Sequence, residues 1–216
     1  MDPHERALRR EIVVVCRRLY ERGLIAGPDG NVSVKLAGDR ILVTPSGASK
    51  IDVQEDDLVV VSLDGRVVAG AGRPSSELGM HLRIHQRRAD IGAVVHAHPP
   101  LATAFAVAGE DLLFPVLPEI VVQTGGVPLV PYATPGTGEL ANAIEPYLPH
   151  HDAFLMANHG ATTLGPTLSI AHQRMESIEH AARILLAARL LGRVTPLTAD
   201  QVRALLAQRP DGSGGA

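Results

Sequence analysis

Tryptophan is absent from this chain, and its aromatic side chains amount to three phenylalanines and three tyrosines. So few ring faces exclude a platform on which successive nucleobases could stack. Surplus positive charge is missing as well: 20 Lys and Arg stand against 23 Asp and Glu, a formal net charge of −3 at pH 7. A protein that grips nucleic acid by its phosphates carries the opposite balance. The single cysteine, Cys16, rules out a disulfide within the chain and fits a reducing compartment. No apolar run approaches the roughly 20 residues of a membrane span. The charged start MDPHERALRRE lacks a signal-peptide apolar segment. These absences predict a cytoplasmic protein with neither nucleic acid nor membrane as partner.

Lysine is the scarcest charged residue, present only as Lys35 and Lys50. Lys35 falls in an exposed-looking strand and Lys50 in a polar loop. Neither has the apolar surroundings that turn an amine into a Schiff-base nucleophile. Chemistry that leaves charge on a ketone must then use another sink, such as a metal ion acting as a Lewis acid.

What is present suffices for a sizeable core, with 45% apolar and 20% charged residues. Leu8, Ile12, Val15, Cys16 and Leu19 share one stripe and predict a helix over residues 5–22. NVSVKL and RILVTP read as one hairpin, and LVVVSLDGRVVAG as a second with Asp64-Gly65 at its turn. PSSELGMHLRIHQRR predicts a helix starting near Pro74, and IGAVV a buried strand. Further helices are expected over PLATAFAVAG, GTGELANAIEPYL, TLSIAHQRMESIEHAARILLAARLLG and TADQVRALLAQ. VPLVPYA reads as a short strand and AFLMANHGATTLG as strand, turn and strand. Hairpins without strict βαβ repetition predict an α/β fold, a three-layer α/β/α sandwich around a central, mostly antiparallel sheet. Residues 1–208 are expected to form one domain and 209–216 a disordered tail.

AVVHAHPP, residues 93–100, ends the buried strand with two histidines. Side chains at i and i+2 leave an extended chain on the same side, so His96 and His98 can face one ion. MANHG places His159 at another strand end, before a glycine that permits a tight turn. Three neutral imidazoles plus a carboxylate or water make an open catalytic metal site. Zn²⁺ suits the set best, with Mn²⁺, Co²⁺ and Fe²⁺ as alternatives. His81 and His85, at i and i+4, are expected on a helix surface or at a subunit contact. His4, His150, His151, His172 and His180 lie in polar segments and are expected to be solvated.

In GRPSSE, two serines precede a helix start, where free N–H groups favour anions, and Glu77 follows. The plainer alternative is an N-cap with a carboxylate that complements the helix dipole. GPDGNVS (27–33) and TPSGAS (44–49) are further turns whose N–H groups can cradle phosphate oxygens.

In chain order GNVS, TPSG, PSSE, HAHP and NHG resemble the motifs of the class II aldolase/adducin superfamily, and within it the L-fuculose-1-phosphate aldolase type. The resemblance covers about residues 5–195. It implies metal ligation by His96, His98, His159 and Glu77, with Glu77 also carrying a proton during catalysis. It implies a substrate phosphate on Gly30, Asn31, Ser46, Gly47, Ser75 and Ser76. It implies a homotetramer with active sites at subunit interfaces and a phosphorylated small sugar as substrate. The activity implied is zinc-dependent cleavage of a ketose 1-phosphate to dihydroxyacetone phosphate and a small aldehyde. That ketose would be L-fuculose 1-phosphate or a 5-deoxy or 5-methylthio analogue. The alternatives are a sugar-phosphate 4-epimerase, a dehydratase, a 3-oxo acid phosphate decarboxylase, or a non-catalytic adducin-like interaction module. The chain departs from the aldolase pattern twice. Glu119 stands where those aldolases carry a tyrosine, a place similar to the catalytic position of the dehydratases; alternatively it caps a helix after Pro118. No aromatic residue follows Phe154, so the tail tyrosine of the aldolases has no counterpart.

Overall fold

The computed structural model describes residues 2–208, so the expected tail at 209–216 lies outside the described residues. Helix α1 (Pro3–Glu21) starts on a proline, whose missing N–H costs nothing in the first turn. It buries Ile12, Val15, Cys16 and Leu19, the stripe read from the sequence. The two hairpins follow as β1 (Asn31–Leu36) with β2 (Arg40–Val43), and β3 (Val59–Ser62) with β4 (Val67–Ala69). Next come α2 (Leu78–Arg87), β5 (Ala93–Ala97), α3 (Pro100–Val107), α4 (Pro118–Thr124) and β6 (Leu129–Val130). Then α5 (Gly138–Ile144), β7 (Ala153–Met156), β8 (Gly160–Gly165), α6 (Leu168–Leu190) and α7 (Ala199–Leu206) complete the described chain.

The eight strands of the described residues join one sheet in the order β4-β3-β2-β1-β5-β8-β7-β6. Only β6 and β7 pair in parallel; the other neighbours are antiparallel. Residues of α1, α3 and α6, among them Ile12, Phe105 and Ile178, pack with Val32, Val34 and Val95. Met80 and Ile84 of α2, with Leu140 and Ile144 of α5, pack with Val94, Phe154 and Leu164. Val94 and Val95 thus serve opposite layers, which is why a doubly covered strand reads as an unbroken apolar run. The expected three-layer sandwich is the observed one.

One boundary differs. The helix expected from Pro74 starts at Leu78, because the backbone before it is tied down elsewhere. Pro74 bridges Pro45, Ser46 N donates to the Arg73 carbonyl (2.9 Å), and Ser75 N donates to the Thr44 carbonyl (3.1 Å). Those bonds keep residues 73–75 extended and stitch the 44–49 turn to the Ser75-Ser76 turn.

Candidate active site

The sheet register brings three strand ends to one edge. β1 begins at Asn31, β5 ends at Ala97 and β8 begins at Gly160. Asn31 lies opposite His96, and Ala97 opposite Ala161. The prolines at 99 and 100 end the strand, because a ring nitrogen cannot donate to the ladder.

His96 is fully buried, and its Nδ1 donates to the Ala161 carbonyl at 2.9 Å. That bond fixes the tautomer and leaves the Nε2 lone pair facing the cluster. His98 Nδ1 faces the Asp29 carboxylate at 3.5 Å, an orientation of the same kind. The two Nε2 atoms then meet at 3.1 Å. Lone pairs at that separation repel one another, and a cation between them turns repulsion into two ligand bonds. His159 follows Asn158, whose left-handed φ of 56° aims the next ring inward. The ligand atoms of His96, His98 and His159 all lie within 4.8 Å of one another. Two glycines make room. A Cβ on Gly160 would sit 2.6 Å from both the Ala97 carbonyl and His98 Cδ2. A Cβ on Gly30 would meet the His96 carbonyl at 2.8 Å.

Glu77, buried at the start of α2, closes the fourth side. Its Oε2 lies 3.1 Å from His96 Nε2 and accepts from Asn31 Nδ2 at 2.8 Å, while Oε1 lies 3.2 Å from His159 Nε2. Burial opposes ionisation of Glu77, but the charge and hydrogen bond of His96, then Asn31 and His159, hold the carboxyl far below its usual range. Burial likewise opposes a charge on His96, and the Glu77 carboxylate reverses that and raises its pKa. Burial and the charge of His96 push His159 down to about 4 and lower His98. The centre of the cluster therefore calls for one positive charge, which a proton or a divalent ion can supply. Three imidazole nitrogens and one carboxylate fit a divalent metal with a position left for substrate.

The cluster opens into a cavity of about 330 Å³. Gly30, Asn31, Ser46, Gly47, Ser75 and Ser76 all line it, together with Glu77, His98 and His159. Every residue expected to hold phosphate is thus beside the triad. Glu119 is not. It is exposed in the first turn of α4, apart from the cavity of its own chain.

Several histidine and lysine expectations are corrected by burial. His81 and His85 are 0% and 1% exposed rather than on a helix surface, because α2 turns that face toward β1. His172 is buried on α6 rather than solvated, with Glu176 3.8 Å away. His4, His150 and His180 are exposed as expected, and His151 is half-buried. Lys35 is half-buried. Lys50 is buried, and its Nζ donates to the Pro28 carbonyl (2.8 Å) and the Ala48 carbonyl (2.9 Å). It bridges the two turns that face the cavity and is the only Lys or Arg among the described residues on the cavity wall. Nothing in the periodicity around Lys50 signals this, since the contact joins residues 22 apart. Among the described residues no helix is long and apolar enough to cross a membrane.

The chain and its fold are similar to those of known proteins. The class II aldolase and adducin N-terminal domain family matches residues 10–186. The chain is 32% identical to the 3-oxo-tetronate 4-phosphate decarboxylase of Pectobacterium atrosepticum, over 93% of each chain. It is 34% identical to the 5-deoxy-D-ribulose 1-phosphate aldolase of Bacillus thuringiensis, over 95% of this chain and 96% of that one. A solved L-fuculose 1-phosphate aldolase superposes with a TM-score of 0.87 at 33% identity, covering 93% of this chain and 94% of that one. From the matched family, these relatives and the shared fold it follows that the chain belongs to the class II aldolase and adducin N-terminal domain family.

Proposed function

We propose that this chain is a metal-dependent lyase that reversibly cleaves a ketose 1-phosphate to dihydroxyacetone phosphate and a small aldehyde. One observation carries the reading: His96, His98 and His159 meet Glu77, and Glu77, His98 and His159 line a cavity that Ser46, Ser75 and Ser76 also line. His96, His98, His159 and Glu77 would hold the ion, with zinc as the expected metal. When bound, the divalent ion supplies Lewis-acid stabilisation of the charge that carbon–carbon cleavage leaves on the ketone oxygen.

The chain's own residues do the rest. Gly30, Asn31, Ser46, Gly47, Ser75 and Ser76 hold the phosphate, so that the bond to be broken lies beside the triad. As the C3–C4 bond breaks, the Glu77 carboxylate takes up the hydroxyl proton of the departing aldehyde. Glu77 then delivers a proton to the carbon that becomes part of dihydroxyacetone phosphate. Glu119 is exposed and away from its own cavity, so as an acid–base group it would serve a neighbouring copy. With the family resemblance, this supports a homotetramer with sites at subunit contacts, and the single cysteine fits work in the cytoplasm.

A second reading, decarboxylation of a 3-oxo acid phosphate, is favoured by the Pectobacterium relative. It uses the same charge sink and the same phosphate grip, with carbon dioxide leaving in place of an aldehyde. Product assays on L-fuculose 1-phosphate, 5-deoxyribulose 1-phosphate and 3-oxo-tetronate 4-phosphate, with and without chelator, decide between them. Dihydroxyacetone phosphate that chelator abolishes supports the lyase. Carbon dioxide release assigns the decarboxylase, and an isomeric ketose without cleavage assigns an epimerase. Metal binding without turnover of any of them leaves an interaction module and overturns the enzyme reading.

A further inference from the structure

Behind Asn31, polar contacts continue away from the cavity into the layer between β1 and α2. Asn31 Oδ1 is hydrogen-bonded to His81 Nε2. His81 Nδ1 lies 2.7 Å from Ser33 Oγ, which in turn lies 2.9 Å from His85 Nε2. Asn31 and Ser33 leave β1 on the same face, and His81 and His85 are one turn apart on α2. All of these side chains are buried, in a layer where an unpaired polar atom is costly.

The direction of each bond follows from the carboxylate. Ionised Glu77 can only accept, so Asn31 must present Nδ2 to it. The Asn31 oxygen then faces His81, whose Nε2 must carry the hydrogen. Burial holds both imidazoles neutral, pushing His81 to about 3 and His85 to about 4. A neutral His81 with a hydrogen on Nε2 has a bare Nδ1, so the Ser33 hydroxyl donates to it. The Ser33 oxygen is left to accept from His85 Nε2–H. With Glu77 ionised, every donor in this chain has an acceptor and one arrangement satisfies all four bonds, leaving His85 Nδ1 buried without a hydrogen-bond partner.

We infer that Ser33, His81 and His85 are positioning residues that lock the Asn31 amide in the one orientation that donates to Glu77. An asparagine amide turned by 180° keeps its shape but would set its oxygen against the carboxylate. The locked chain removes that state. It is a clamp and not a proton wire, because a carboxamide does not readily pass a proton from its oxygen to its nitrogen. The inference rests on Glu77 being the proton-carrying group proposed above.

The test uses the full chain loaded with zinc. In the wild type, long-range nitrogen–proton NMR of the imidazoles is expected to show His81 and His85 with the hydrogen on Nε2. In Ser33→Ala the His81 signal is expected to shift toward the other tautomer. On whichever of the three phosphorylated substrates is turned over, Ser33→Ala should lower kcat by about 10–100-fold, the usual effect of losing an outer-shell partner. KM and bound zinc should stay near wild type. His85→Gln keeps a donor to Ser33 and should retain most of kcat, while His85→Leu should lose it. A wild-type His81 with its hydrogen on Nδ1 overturns the inference. So does wild-type kcat in both Ser33→Ala and His85→Leu, or loss of zinc in step with activity. The tautomer measurement needs no substrate, so it still decides this inference if the lyase reading fails.

Discussion

Asn31 faces His96 across the β1–β5 ladder, and both side chains reach the same oxygen of Glu77. The other oxygen turns to His159. One carboxylate is thereby held by three elements other than its own helix. The register of the sheet, more than the start of α2, decides where its charge stands.

Glu77→Gln keeps the size of the side chain and removes the carboxylate proposed to carry the proton. Turnover of the accepted substrate should fall on the order of 10²–10⁴-fold. Bound metal should remain, because the three imidazoles are intact. Steady-state rates with metal analysis of the same sample check this, and wild-type turnover in the variant removes Glu77 from the mechanism.

Lys50 holds its charge against two carbonyls of the turns proposed to hold phosphate. Lys50→Met keeps the stem and removes the charge. Inorganic phosphate should bind about tenfold more weakly or worse, a difference of at least about 1.4 kcal/mol. Titration calorimetry with phosphate measures it; equal affinity would show that Lys50 only ties the two turns together.

Gly160→Ala is the smallest change that should disturb the triad. Its Cβ would press on the Ala97 carbonyl and the His98 ring, and overpacking of this kind costs about 1–3 kcal/mol. We expect a lower midpoint in denaturant and weaker zinc binding. A variant with both properties unchanged would mean that β5 and β8 can shift apart without cost.

Glu119→Gln should lower kcat without lowering zinc content or thermal stability, because the side chain is exposed and distant from its own cavity. Unchanged kcat on every accepted substrate would leave Glu119 as a carboxylate that merely complements the α4 dipole.

Acid should unfold the protein through the histidines behind the site. An unfolded imidazole titrates near 6.5, whereas burial pushes His81 to about 3 and His85 to about 4. Between these values the unfolded chain binds more protons than the folded one. The stability from keeping these rings neutral is therefore complete above pH 6.5 and is lost as pH falls toward 4, by about 1.4 kcal/mol per pH unit for each group. Urea unfolding at pH 7 and pH 5, with excess chelator so that metal release does not enter, should show a smaller pH dependence in His85→Gln. An identical dependence would show that His85 does not contribute.

The histidine cluster of this protein was legible in its residue order. His96 and His98 share a side because extended chains alternate, and the NHG turn marks His159 as a strand-end residue by composition alone. The apolar run at Val94-Val95 similarly announced a buried strand. Other features were not legible. The spacing of His81 and His85 marks one face of a helix but not whether that face meets water or a strand; packing of α2 on β1 buries it. Lys50 looks like a loop residue until two turns fold over it. Glu119 is read by its place in the order of motifs, yet its distance from the cavity depends on where α4 docks. The sequence by itself determined which side chains can coordinate and which strands are buried, since both follow from local chemistry and from the two-residue and 3.6-residue repeats. Only the tertiary structure decided which polar groups lie out of water together, because burial arises between segments that the chain order leaves far apart.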